Sequence, residues 1–276
     1  MIDFVEPPKL WIPERPAIIR PGIDLARYFP VDLDRHARRA IVSELIKSGR
    51  VEKGAIPFGM FTPAPVSSAL NLTFRDNRID LGNATTYTFS SVPVGTANAN
   101  RHVFVAVTGA GTAGRVVTGV TIGGVSATIG VQEAHSSSEA AVVSIWGAKV
   151  TTGTSISVVV TWTTGGQLRT GIGVWTADGI LSLTPVHTIT SQSDPATGTL
   201  TAVSGRLAIV AFYQRSDPGS VTWGSPLNPP DYEDLPAAYE ARYQGGKAVV
   251  ASGSSISVSV DPSTNDRHVM VAASYN

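Results

Sequence analysis

Two stretches one hundred residues apart, Gly153-Thr-Ser-Ile-Ser-Val-Val-Val160 and Gly253-Ser-Ser-Ile-Ser-Val-Ser-Val260, are near copies, which marks much of this chain as a duplicated β-rich unit. Further pairs keep the same order. Val120-Thr-Ile-Gly-Gly124 matches Val221-Thr-Trp-Gly-Ser225, Arg101-His-Val-Phe-Val-Ala106 matches Arg206-Leu-Ala-Ile-Val-Ala211, and 141–150 roughly matches 241–250. A closing strand follows in each half, at 168–177 and 267–275. Within the repeated strand, Ile156, Val158, Val160 and Trp162 alternate with Ser155, Ser157, Val159 and Thr161, and Ile256, Val258 and Val260 alternate with serines. A period of two places one face in a core and the other in water.

From about residue 63 charged residues are sparse, and Gly, Ser, Thr and Val dominate short runs separated by turn residues. This composition predicts an all-β fold, an antiparallel β-sandwich of jelly-roll or Ig-like type, internally duplicated, over 63–276 with halves at about 83–180 and 190–276. Each half alone is small for a stable core and no Pro-rich linker divides them. One larger sandwich is therefore favoured over two small ones.

Residues 1–62 differ in kind. Seven of the 18 prolines and 18 of the charged residues fall within the first 60 positions. Proline fixes φ and biases its predecessor toward extended conformations, so an extended Pro-rich arm is expected, with one helix near 33–48 between an Asp32 or Asp34 N-cap and Gly49. Phe4, Leu10, Trp11, Ile18, Ile19, Tyr28 and Phe29 would face water on an isolated arm, and the helix adds Ile41 and Leu45. These nine residues are the candidate partner-docking set. Docking on another subunit is favoured over folding back on the chain's own β domain.

Lys+Arg and Asp+Glu are both 21, giving zero formal net charge. No global field draws in nucleic acid or an anionic membrane, so neither nucleic-acid binding nor membrane insertion is expected. Cysteine is absent, which excludes disulfides and thiolate metal sites. The start, Met-Ile-Asp-Phe-Val-Glu, lacks a basic region followed by an apolar run, so no secretory signal is expected.

Motifs that could carry chemistry are weak. Gly109-Ala-Gly-Thr-Ala-Gly114 has the dinucleotide-fingerprint spacing, but a β-branched, glycine-broken run follows where a helix is required, and a flexible hairpin loop is expected instead. His36, His102, His135, His187 and His268 have no metal-ligand spacing, and there is no Gly-x-Ser-x-Gly elbow. We expect no enzyme, no catalytic residues, no cofactor and no metal. The richest polar cluster lies in the acidic, proline-stiffened 226–240 loop. Its Asp231, Tyr232, Glu233 and Tyr239, with Trp223 nearby, are the candidate receptor or glycan contact, through ring stacking beside carboxylates.

The runs Thr86-Tyr-Thr-Phe-Ser-Ser-Val-Pro-Val-Gly95, Arg101-His-Val-Phe-Val-Ala-Val107 and Val117-Thr-Gly-Val-Thr-Ile-Gly-Gly-Val-Ser-Ala-Thr128 resemble β-sandwich modules of virion structural proteins in tailed bacteriophages and related gene transfer agents. Pro7-Pro-Lys-Leu-Trp11 and Ala17-Ile-Ile-Arg-Pro21 are similar to arms of that class. The resemblance implies a tail fibre, spike or head-decoration protein located in the virion. Its N-terminal segment would anchor to capsid, collar or tail proteins, with a homo-oligomer, such as a trimer, as the working form. It carries no catalytic residue over. The competing readings are a carbohydrate-binding or host-receptor-binding module serving host attachment and, behind it, a polysaccharide depolymerase.

Overall fold

A computed structural model describes residues 70–112, 114–136, 139–163, 169–215, 220–234, 243–264 and 266–276. The predicted arm, its helix at 33–48 and the nine docking residues from Phe4 to Leu45 lie outside the described residues.

The described chain is all-β and antiparallel. Its first half contains β1 (Asn71–Asp80), β2 (Thr86–Pro93), β3 (Arg101–Thr112), β4 (Val117–Ile122), β5 (Val125–Ser126), β6 (Thr128–Ala134), β7 (Glu139–Lys149), β8 (Ser155–Trp162) and β9 (Arg169–Asp178). The second contains β10 (His187–Ser191), β11 (Ala196–Thr201), β12 (Leu207–Gln214), β13 (Val221–Trp223), β14 (Tyr232–Asp234), β15 (Tyr243–Val250), β16 (Ser255–Pro262) and β17 (His268–Ser274).

Sheet order exposes the duplication directly. The first half forms β1-β9-β3-β7-β6 and β2-β8-β4-β5, and the second forms β10-β17-β12-β15-β14 and β11-β16-β13. Strand for strand, the two halves have one topology, apart from the two-residue β5. The Gly123-Gly124 turn that feeds β5 holds both glycines at positive φ, +60° and +82°, as a two-residue turn of the hairpin type requires. The second copy has Ser225 at the corresponding second position, where positive φ is disfavoured, and no counterpart of β5 forms.

The favoured single sandwich is not what these strands build. Each half is its own two-sheet sandwich, and the two five-stranded sheets then pack back to back, giving four layers and three cores. The outer cores gather Val103, Val105, Val158 and Val160 in the first half and Val210, Phe212, Ile256 and Val258 in the second. The middle core gathers Phe104, Ile145, Trp175, Ile209, Tyr232 and Val271. The reason is written in the strands. Every residue of β12 and β17 is buried, so these strands need a neighbour on both faces, which a two-sheet sandwich lacks. By contrast β8 and β16 alternate between buried and wetter positions, as outermost strands do. Sharing the middle core also solves the size problem, since each buried aliphatic side chain contributes about 1.5–3 kcal/mol.

Other boundaries shift. The first unit begins at Asn71, ahead of the expected 83, because the polar run of β1 hides an edge strand that pairs with β9. The expected loop at 109–114 is largely strand. β3 continues to Thr112 because Gly109 lets Trp162 and the Arg169 carbonyl approach: an added Cβ would lie 2.8 Å and 2.9 Å from them.

The start of β1 and residue 276 lie at one end of the body. Asn71 pairs with Asp178, which also faces Arg101, and the Leu181 N–H donates to the carbonyl of Asn276 at 2.6 Å. The opposite end holds the finish of β3 and β12 and the start of β9, β15 and β17.

Arg101 secures the first of these ends. It is 2% exposed, and its guanidinium donates to the carbonyls of Val150, Val94, Gly95, Thr96, Thr152 and Gly153 at 2.6–3.2 Å. Burial pulls its pKa down. The planar five-donor fork lets a single side chain satisfy the carbonyls of two loops.

Candidate functional site

The acidic segment ahead of β15 is where sequence reasoning placed a contact surface, and the structure turns Tyr232 inward and ties Asp231 into the body. Asp231 lies opposite Lys247, because β14 pairs with β15 and sets Tyr232 against Gly246. Its Oδ1 accepts from Lys247 Nζ at 2.9 Å, while Oδ2 accepts from Trp175 Nε1 at 2.7 Å and from the Ala248 N–H at 2.9 Å. One carboxylate thus ties the second sandwich to the first through Trp175 on β9. Three donors converge on this carboxylate.

Tyr232, between the two acids, is 6% exposed and stacks on Phe74 with ring centroids 5.7 Å apart, tilted against Trp175 at 5.8 Å. Its ring sits over Gly173 and Gly246, where a Cβ would intrude on it. Burial raises the phenol pKa well above its ordinary value, assisted by Asp231 and Asp234. Glu233 reaches the other side of the second sandwich. It accepts from Tyr243 Oη and, at 3.1 Å, from Trp223 Nε1, which also donates to Tyr243 Oη at 2.8 Å. Burial and the Glu233 hydrogen bond drive the Tyr243 pKa up. The half-buried Asp234 carboxyl is raised by burial.

Stacking on a sugar requires an exposed ring face, and Trp223 is 3% exposed while Tyr232 is core, so neither ring offers one. Asp231 spends both oxygens on ammonium, indole and backbone donors, whereas Glu233 is exposed and uses Oε1 on phenol and indole. Tyr239 lies outside the described residues. Trp175 is fully buried.

What sequence reasoning missed is a cleft at the opposite end from Asn71 and Asn276, where the two central sheets part. Ile79, Gly109, Arg169, Thr170 and Gly171 line it from the first sandwich, and Tyr213 and Gln244 from the second. Gln244 is 2% exposed and accepts from Thr108 Oγ1 through Oε1, and its Nε2 has no partner among the described residues. Gly171 is needed here, since a Cβ would collide with the Gln244 amide. Nothing in the sequence marks this place, because it arises only when β9 and β15 meet across the middle core.

The histidines stand apart from one another in role. His102 and His268 begin strands, as expected. His102 faces the Asn100 carbonyl, and burial lowers its pKa. His268 is enclosed between the carbonyls of Asp266 and Ser193 at 2.8 Å each. Among the described residues no group of three or more His, Asp or Glu is arranged to hold a metal ion. No helix among them is long and apolar enough to cross a membrane. Comparison with known protein families and with curated proteins finds no match to this chain.

Proposed function

We propose that this chain is a structural component of a phage or phage-like particle, anchored through residues 1–62 and displaying its paired sandwiches on the virion surface as a fibre, spike or decoration protein. The observation that carries the reading is the polarity of the body. β1, the first described strand, starts at the end where Asn276 also lies, and we take that end as the one nearer the particle. Three cores in four layers, with a shared middle core, supply the rigidity that a displayed module needs. The apolar residues Leu10, Trp11, Ile18 and Ile19 of the leading segment supply the chemistry for docking on another virion subunit.

Deletion of residues 1–60 tests this. In density gradients the full-length chain is expected to sediment with particles, and the shortened chain to remain soluble, folded and unattached. Retention of the shortened chain on particles would overturn the proposal.

A further inference from the structure

We propose that the cleft between the two central sheets is a binding site for one hydroxyl-type oxygen, either a water molecule or the hydroxyl tip of a polyol or sugar, held by the side-chain amide of Gln244. Three observations lead there. Gln244 is 2% exposed, yet its Nε2 has no partner among the described residues and the cleft lies against it. Leaving a buried donor unpaired is costly, so native structures supply such groups with a partner. The space fits one small group: about 20 Å³ is open to solvent, against about 10–15 Å³ needed for a water molecule. A whole sugar ring does not fit, but a single hydroxyl does.

The chemistry of the guest follows from the amide. Thr108 Oγ1 donates to Gln244 Oε1, and the hydroxyl of threonine can equally accept from the nitrogen if the amide is turned over. In the first orientation the cleft faces an N–H donor, in the second a carbonyl acceptor. Only a group that both donates and accepts satisfies the amide either way. Water or a hydroxyl is held in both orientations, a carboxylate only in the first and an ammonium only in the second.

Glycines make the site accessible. Gly109 and Gly171 belong to adjacent strands β3 and β9, paired so that Gly109 faces Thr170. A Cβ at Gly171 would collide with the Gln244 amide, and one at Gly109 with Trp162 and the Arg169 carbonyl. The cleft opens at the end away from Asn71 and Asn276.

The test is a pair of crystal structures of the full-length protein, one grown free of polyols and one soaked in saturating glucose. Density within hydrogen-bonding distance of the Gln244 amide in the first identifies water as the guest. Sugar density only in the soak, with a hydroxyl at the same point, identifies the carbohydrate source. Either supports the site. A cleft empty in both, with Gln244 turned to bond another protein group, overturns it. In solution, the side-chain NH2 resonances of Gln244 are expected to show cross-relaxation with a long-lived water, or to shift on glucose addition. Silence in both experiments overturns the proposal without any variant needing to fold.

Discussion

The indole Nε1 of Trp175, on β9 of the first sandwich, donates to Oδ2 of Asp231 in the second at 2.7 Å, and the same carboxylate holds Lys247 at 2.9 Å through its other oxygen. A buried indole, a largely buried ammonium and a backbone N–H all depend on this one side chain. Asp231→Ala removes the acceptor from all three and should destabilise the body by about 2–4 kcal/mol in urea unfolding. A double-mutant cycle of Trp175→Phe with Asp231→Ala should report coupling of about 1–2 kcal/mol. Coupling near zero would show that this hydrogen bond adds nothing to holding the two sandwiches together.

Gly173 and Tyr232 form the tightest apolar approach across the same joint. Gly173→Ala drives a methyl group into the phenol ring and should cost about 1–3 kcal/mol. Tyr232→Phe should behave oppositely. Its hydroxyl is buried without a protein partner, so deletion should be neutral or slightly stabilising in thermal unfolding. The same holds for Tyr275→Phe, whose hydroxyl lies against Gly130. A loss above about 1 kcal/mol in either Phe variant would reveal a bond to the hydroxyl.

Arg101 is the single most consequential polar residue at the Asn71 end. Arg101→Met keeps much of the aliphatic stem but abandons six carbonyls, and should lower stability by about 3–5 kcal/mol. Arg101→Lys should recover only part of this, since an ammonium has three donors rather than a five-donor fork. Full recovery by lysine would mean that charge, not the hydrogen-bond set, is what matters.

Stability should decline in weak acid. Burial is the largest cause lowering the pKa of both His102 and His135 from their ordinary 6.5, so the folded state resists protons that the unfolded state takes up. Their contribution is complete above pH 6.5 and is lost as pH falls through the lower folded values. Asp234 acts in the reverse sense. Its raised pKa favours the folded state at low pH, and that contribution fades as pH rises from 3.8 through its folded value. Urea midpoints measured from pH 8 to 5 should fall below 6.5, and His102→Gln should flatten part of the slope. A flat profile in the native protein would contradict the burial of these rings.

The duplication was legible because each strand of the repeat must present the same face at the same register, and β8 and β16 keep that alternation nearly residue for residue. Even Arg101 carried a signal, since its counterpart Arg206 opens the matching strand and donates to the Gly179 carbonyl. The four-layer stacking was harder to read. Runs such as Leu207-Ala-Ile-Val-Ala-Phe212 announce burial on both faces but do not name the neighbour on the second face. The inward placement of Tyr232 was hard to read for a related reason. Aromatics beside acids look the same in a sequence whether the ring meets a ligand or Phe74, and only pairing of β14 with β15 turned Tyr232 inward. Trp223→Ala therefore tests folding rather than glycan binding, and should cost about 3–5 kcal/mol. The cleft at Gln244 had no local signature, because its walls come from strands brought together by the middle core.

Transplanting the leading segment tests the proposed anchoring most directly. Residues 1–62 would be fused to an unrelated soluble protein and expressed during particle production, with co-sedimentation measured by mass spectrometry of purified particles. The account predicts that the fusion is incorporated while the chain lacking residues 1–60 is not. A fusion that stays free, beside a shortened chain that still enters particles, would contradict it.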